Sequence, residues 1–320
     1  MRPRRALPVA VLVVLLVSPF FSFSPFYQRV AALVVLAAIS ASAWNVLGGY
    51  AGQVSFGHSV YFGVGAYSAL LAFTKLGLPP IAGAPLGVVV SVAISVVIGL
   101  PTFRLRGHYF SMATFAIAAL AELLFISWNF AGGAIGMMGP ANARSLADLL
   151  FRGSLPYYVI FLVVLGILLA LTHQMQRSRM GFYLRAIGSG ERAAESLGVP
   201  VRRYKLYALL LSGAFTALAG SLYAVMIGFI DPDSGFGVLI SVNMVVMSAL
   251  GGAGTLFGPL IGAIILVPLS EASNAFFGGG GSGAAYIVYG VIIMLIARFS
   301  PGGVAEWWRL LFHRRVRRAA

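Results

Sequence analysis

Apolar runs long enough to cross a membrane follow one another along the 320-residue chain, separated by short polar or glycine-rich interruptions. A spanning helix needs about 20 apolar residues, with about 17 as the lower limit. Runs that meet or approach this length are 7–24, 29–48, 58–75, 85–103, 108–129, 156–174, 206–227, 237–250, 257–275 and 284–299. They predict an all-α, polytopic helical membrane protein of about ten spans, with residues 1–320 forming a single transmembrane domain. The run 237–250 is short and the run 58–75 is rich in glycine, so these two are the marginal members of the count.

The polar interruptions orient the array. The longest runs from Arg177 to Lys205 and sets Arg177, Arg179, Arg185, Arg192, Arg202, Arg203 and Lys205 against only Glu191 and Glu195. Seven such cations at mid-bilayer would cost roughly 20 kcal/mol, and the positive-inside bias puts the stretch on the cytoplasmic side. The start MRPRR and the tail from Arg309, RLLFHRRVRR, have the same sign, so both termini are expected in the cytoplasm and the number of crossings is even. The N-terminus imitates a secretory signal, but Pro25 follows the apparent cleavage site and another span comes almost at once. It reads as a retained first helix.

Composition agrees: 60% of residues are hydrophobic, 9% are charged and the mean hydropathy is +0.94, against about 25% charged in soluble domains. The net charge of +14 sits between apolar runs, which is topology signalling and not a nucleic-acid face. Cysteine is absent, which excludes disulfides and thiol chemistry. His58, His108, His173 and His313 have no metal-ligand spacing, and neither Lys75 nor Lys205 follows the glycines of a P-loop. No paired-carboxylate or nucleophile constellation is present, so the chain is expected to be non-catalytic and without cofactor.

Within the basic loop at 175–205, Gly188-Ser189-Gly190 breaks the chain, Ser189 can cap and Glu191 suits a helix start. Ala193, Ala194 and Leu197 then form one small apolar face, which Gly198 and Pro200 terminate. Such a helix fits a groove on another protein; the plain alternative is a solvated loop that only sets topology.

Two glycine-rich stretches interrupt the apolar pattern, Gly48 to His58 and Gly251 to Pro259. Irregular backbone at membrane depth is tolerated only beside protein or a watery cavity, so two breaks suggest a translocation path at the interface of an inverted repeat. Asn45, Gln53, Ser55, Gly57 and His58 at the first break, with Asn243 in the eighth run, are the candidate path residues. Interhelical packing and hydrogen bonding is the competing role for each. Glu122 is read as the only acid well inside a span, a functional candidate by default.

Three segments, GQVSFGHSVYFGVGAYSA (52–69), LRAIGSGERAAESLGVPVRRYKLYAL (184–209) and SALGGAGTLFGPLIGA (248–263), make the chain resemble the permease subunits of bacterial branched-chain amino acid ABC importers, in particular their M-type partner. The resemblance covers roughly residues 29–300. It implies a multi-pass permease of the bacterial inner membrane, working with two ABC ATPase subunits, a second permease and an extracytoplasmic solute-binding protein. It also makes the central loop the one that docks on an ATPase, with Arg185, Glu191, Arg192, Ala193, Ala194, Glu195, Leu197 and Gly198 as its residues. The general importer pattern Glu-Ala-Ala-x-x-x-Gly is met at Ala193, Ala194 and Gly198, while Arg192 stands at the Glu position. In the loop after residue 130, relatives carry Thr-Gly-Gly where this chain has Ala131-Gly132-Gly133, which leaves urea, short amides or another amino acid as alternative solutes; the runner-up within transport is a permease for sugars or nucleosides on a related fold. An alternative of another class is a stand-alone channel or ion-coupled carrier, which needs no docking helix.

Overall fold

The computed structural model describes residues 24–139, 148–151 and 153–276, with isolated positions at 19, 290, 291 and 294. The expected spans 7–24 and 284–299 and both termini lie almost entirely outside the described residues. The other eight expected spans are helices. They are α1 (Pro25–Leu47), α2 (His58–Leu76), α3 (Pro80–Thr102), α4 (His108–Ser127), α5 (Ser154–Arg177), α8 (Val201–Ile227), α10 (Val238–Gly251) and α11 (Gly258–Phe276). Between them lie the short helices α6 (Arg179–Ser189), α7 (Glu191–Ser196) and α9 (Pro232–Phe236), and a two-stranded ribbon of β1 (Met137–Met138) and β2 (Phe229–Ile230). Among the described residues seven segments are long and apolar enough to cross a membrane. One of them joins α9 and α10 over Pro232–Gly251, which lengthens the marginal run at 237–250 to 20 residues.

Small residues decide the packing. A Cβ at Gly65 of α2 would stand 1.9 Å from the carbonyl oxygen of Ala217, and one at Gly220 of α8 would stand 2.0 Å from that of Phe62. The two backbones therefore touch, as membrane helices do where small residues line up. The Ser221 hydroxyl seals the contact by donating to the Gly65 carbonyl at 2.8 Å. Helix α1 is sunk among α5, α8, α10 and α11, and its residues from Val34 to Leu47 are largely buried. By contrast α3 and α4 expose Val89, Val97, Leu100, Met112, Leu120 and Leu123, each more than half accessible. Large apolar side chains on the outside of a spanning helix face lipid.

Two ends of the bundle can be told apart. At one, the turn 48–57, the segment 103–107, the stretch 178–200 and the turn 252–257 come together. At the other, β1 pairs antiparallel with β2 through Met137↔Ile230 and Met138↔Phe229, and the Gly139 N–H donates to the Gly228 carbonyl at 2.8 Å. Arg104, Arg106, Arg179, Arg185, Arg192, Arg202, Arg203 and Lys205 are all at the first end, where the positive-inside bias expects the cytoplasm. Both α1 and α10 finish at this end, on the two glycine-rich turns. An inverted repeat would carry corresponding breaks to opposite faces, so these two breaks are not inverted counterparts of each other.

Because the chain has no cysteine, single cysteines report this sidedness directly. Ser189→Cys should react with a membrane-impermeant maleimide only from the cytoplasmic side, and Ile135→Cys, whose native side chain is 85% exposed, only from the outside. Labelling of Ser189→Cys in intact cells would invert the arrangement.

Candidate functional site

The basic stretch folds as two helix ends and two short helices. Helix α6 buries Gly181, Leu184 and Ile187 against Met175, Tyr50 and Val201. Ser189 does not cap the next helix, as its sequence position suggests; its hydroxyl donates to the Arg185 carbonyl at 3.0 Å, and Gly190 stands at the N-cap. Arg185 is exposed but folds back onto the chain. Its guanidinium donates to the carbonyls of Gln176 at 2.7 Å, in the last turn of α5, and of Gly181 in α6 at 3.2 Å.

The α7 helix has two unlike faces. Toward the bundle, Glu191 pairs with Lys205 of α8 at 2.7 Å, and Glu195 pairs with Arg106 at 2.7 Å. The Lys205 side chain is wholly buried and its ammonium lies 5.9 Å from the centre of the Phe103 ring. Ala194, expected on the exposed face with Ala193 and Leu197, is 2% exposed and packs inward. Its substitution would disturb the protein itself before any partner. Arg192 and Ala193 do face outward, and Leu197 is 83% exposed. Gly198 has φ +81°, a left-handed conformation that a side chain makes costly.

At the first turn the polar candidates fasten helices together. The Trp44 indole donates to the Ser55 carbonyl at 2.8 Å, and the Phe56 N–H donates to the Thr114 hydroxyl at 3.1 Å. Thr114 lies about 9 Å along α4 from its start at 1.5 Å per residue, so the turn reaches into the bundle. His58 is fully buried between the hydroxyls of Ser55 at 3.2 Å and Ser212 at 2.7 Å. Ser212 gives its own proton to the Ala43 carbonyl at 2.6 Å, so the histidine donates to it from Nε2. A Cβ on Gly57 would come within 3.1 Å of the Thr114 carbonyl oxygen, so the backbone approaches α4 closely here. Gln53 donates to Ala51 at 3.4 Å and is also buried. Asn45 reaches the second turn, accepting from the Gly254 N–H at 2.8 Å and donating to the Thr255 carbonyl at 2.9 Å.

Asn243 is not part of this cluster. It lies on α10 along an open groove of 540 Å³ between α1, α8, α10 and α11. The groove's wall is apolar at Leu36, Leu239, Ile240, Met244 and Met247, with Ser40 and Asn243 set into it and Asp233 and Glu271 at its border. Glu271 lies within α11, so Glu122 is not the only acid in a spanning helix. The sequence signal was available, since an acid inside an apolar run is a functional candidate wherever it sits.

The family described as branched-chain amino acid transport system / permease component matches residues 26–297. The high-affinity branched-chain amino acid transport system permease protein LivM of Escherichia coli (strain K12) is 26% identical to this chain, across 94% of it and 75% of LivM. The probable branched-chain amino acid transport permease protein LivH of Methanocaldococcus jannaschii is 27% identical, across 80% of this chain and 84% of LivH. Similarity to the ribose import permease protein RbsC of Escherichia coli is confined to 41% of this chain and 42% of RbsC, at 33% identity.

The ion pair beneath α7 yields a direct test. Glu191→Ala leaves Lys205 buried without a counter-charge, a change that costs about 3–5 kcal/mol when an ion is truly sealed from water. Amide exchange across 191–198 should rise sharply in the variant. The exchanged pair, Glu191→Lys with Lys205→Glu, should restore part of the protection. Equal exchange in native and Glu191→Ala protein would mean the pair does not hold the helix.

Proposed function

The chain belongs to the branched-chain amino acid transport permease family, and on that footing we propose that it is a non-catalytic, membrane-spanning subunit of an ATP-driven importer for branched-chain or related amino acids. It works in the bacterial inner membrane with both termini in the cytoplasm. Two separate ATPase subunits bind beneath the stretch 175–205, a second permease completes the pathway, and an extracytoplasmic binding protein delivers the solute.

The observation that carries this reading is the division of α7 into an anchored face and a presented one. Glu191 and Glu195 hold the helix to the bundle through Lys205 and Arg106, while Leu197 stands 83% exposed at its far side. A large apolar side chain held out by one buried and one exposed ion pair supports a groove on a partner, not a loop that only sets topology. The docking residues are thus Arg192, Ala193, Leu197 and Gly198, with Glu191, Glu195, Ala194 and Arg185 positioning them.

The groove beside Asn243 supports the solute wall. An apolar surface with a few set polar groups suits an aliphatic zwitterion, since the side chain needs a dry wall and the charged ends need directed partners. Asn243, Ser40 and Glu271 supply such partners. Ser55, Gly57 and His58 then frame the helices that form the path.

Leu197→Asp tests the docking role without touching the anchored face. A buried, unpaired carboxylate costs several kcal/mol, and a loss of about 2.7 kcal/mol weakens binding roughly a hundredfold. The variant should insert normally, lose the ATPases in a pull-down and lose leucine uptake in cells. Full ATPase retention and uptake would overturn the docking assignment. Uptake by the purified chain alone in liposomes would favour an ion-coupled carrier. In the same complex, Asn243→Leu should lower leucine uptake about tenfold or more while ATPase binding is unchanged; unaltered uptake would move the solute wall elsewhere.

A further inference from the structure

The two glycine-rich turns are pressed against each other and against the cytoplasmic helices with almost no side chains between. On the cytoplasmic side, a Cβ at Gly188 of α6 would lie 2.8 Å from the Tyr50 carbonyl oxygen, and one at Gly52 would lie 3.1 Å from the Gly188 Cα. Gln176 bonds the Tyr50 hydroxyl at the same place. On the far side of the first turn, a Cβ at Gly49 would lie 2.4 Å from the Gly254 nitrogen, and one at Gly254 would lie 2.9 Å from the Gly49 oxygen. Asn45 locks this second contact. It is 2% exposed and spends its carbonyl on the Gly254 N–H and its amide on the Thr255 carbonyl, so it fixes both the position and the orientation of one turn by the end of another helix.

We propose that Asn45 is a positioning residue that makes the two turns move as one, so that displacement of α6 and α7 is passed to α10 and α11 and hence to the groove they wall. The proposal rests on the permease reading above. Close-packed backbone has no slack to absorb a displacement, because interiors of this density deform little. A flexible side chain at Gly188, Gly49 or Gly254 would supply that slack; none is there. The sequence separation also matters. Asn45 and Thr255 are 210 residues apart, so nothing local would hold the second turn against the first. A chain of contacts becomes a coupling route only if breaking it alters the coupling.

The test uses the complete importer in proteoliposomes: this chain, its partner permease, the ATPases and the binding protein. Leucine taken up per ATP hydrolysed is measured for the native complex, Asn45→Ala and Gly254→Ala. The first variant removes both hydrogen bonds; the second pushes on Gly49 from the other turn, and neither touches Leu197 or Asn243. Both should assemble and hydrolyse ATP within about twofold of native, while uptake per ATP falls about fivefold or more, within the range reported for residues along coupling networks. A residue needed only for packing would lower assembly and leave that ratio unchanged, and an unchanged ratio in either assembled variant overturns the proposal. Should the variants fail to assemble, amide exchange in the native complex decides. Exchange at 252–257 that differs between nucleotide-free and ATP-bound complexes supports the relay, and identical exchange overturns it. A native complex that hydrolyses ATP without moving leucine refutes the solute reading instead, and the exchange measurement still judges the relay.

Discussion

Where α1 ends, two stretches of irregular backbone meet inside the bundle, and the side chain of Asn45 holds one to the other. Irregular backbone beside a membrane is stable only when protein satisfies its polar groups. Asn45 does this for Gly254 and Thr255, Thr114 for Phe56, and Trp44 for Ser55. The last turns of α1 are bound from the other sides too, by Ser212 donating to the Ala43 carbonyl and Ser248 to the Ala41 carbonyl at 2.9 Å. Helices α8 and α10, and the turn that begins α11, are thereby fixed to one helix end. These bonds tie the helix ends into one block at the basic end of the bundle, and the groove beside Asn243 is walled by helices that leave it.

Charge sets the other half of the arrangement. Basic residues keep 178–200 out of hydrocarbon, yet the same segment is bound to the bundle by the buried Lys205 and by Arg106. A buried ion pair contributes little net stability over an apolar contact, but it specifies one orientation. Here the orientation presents Leu197 and hides Ala194. Rigidity at this joint and an apolar knob beyond it suit the proposed docking of a separate ATPase.

Much of this was legible in the chain. Eight helices follow the apolar runs closely, and all but the glycine-rich α2 lie in segments long and apolar enough to cross a membrane. That the basic loops share one end of the bundle was readable from their arginines. What the pattern could not supply were contacts between distant segments. Ala194 looks exposed by helical spacing, and only the meeting of α7 with Val201 and Tyr50 makes it a core residue. His58 and Asn45 look like path-lining groups because a polar residue in an apolar run reads the same whether it faces water or a carbonyl on another helix. Glu271 was passed over for its place near a span's end, although it borders the groove. The two breaks suggested inversion because motif similarity carries no direction; α1 and α10 ending side by side supply it.

The most direct measurement is a distance between two spin labels, at Ser196→Cys on the docking helix and Phe257→Cys on the second turn, in a chain that has no other cysteine. In the assembled importer this distance should be the same with and without ATP, and should become ATP-dependent once Asn45 is replaced by alanine. A distance that shifts with ATP in the native chain, or that stays fixed in both chains, would contradict the claim that the docking helix and the two turns form one moving body.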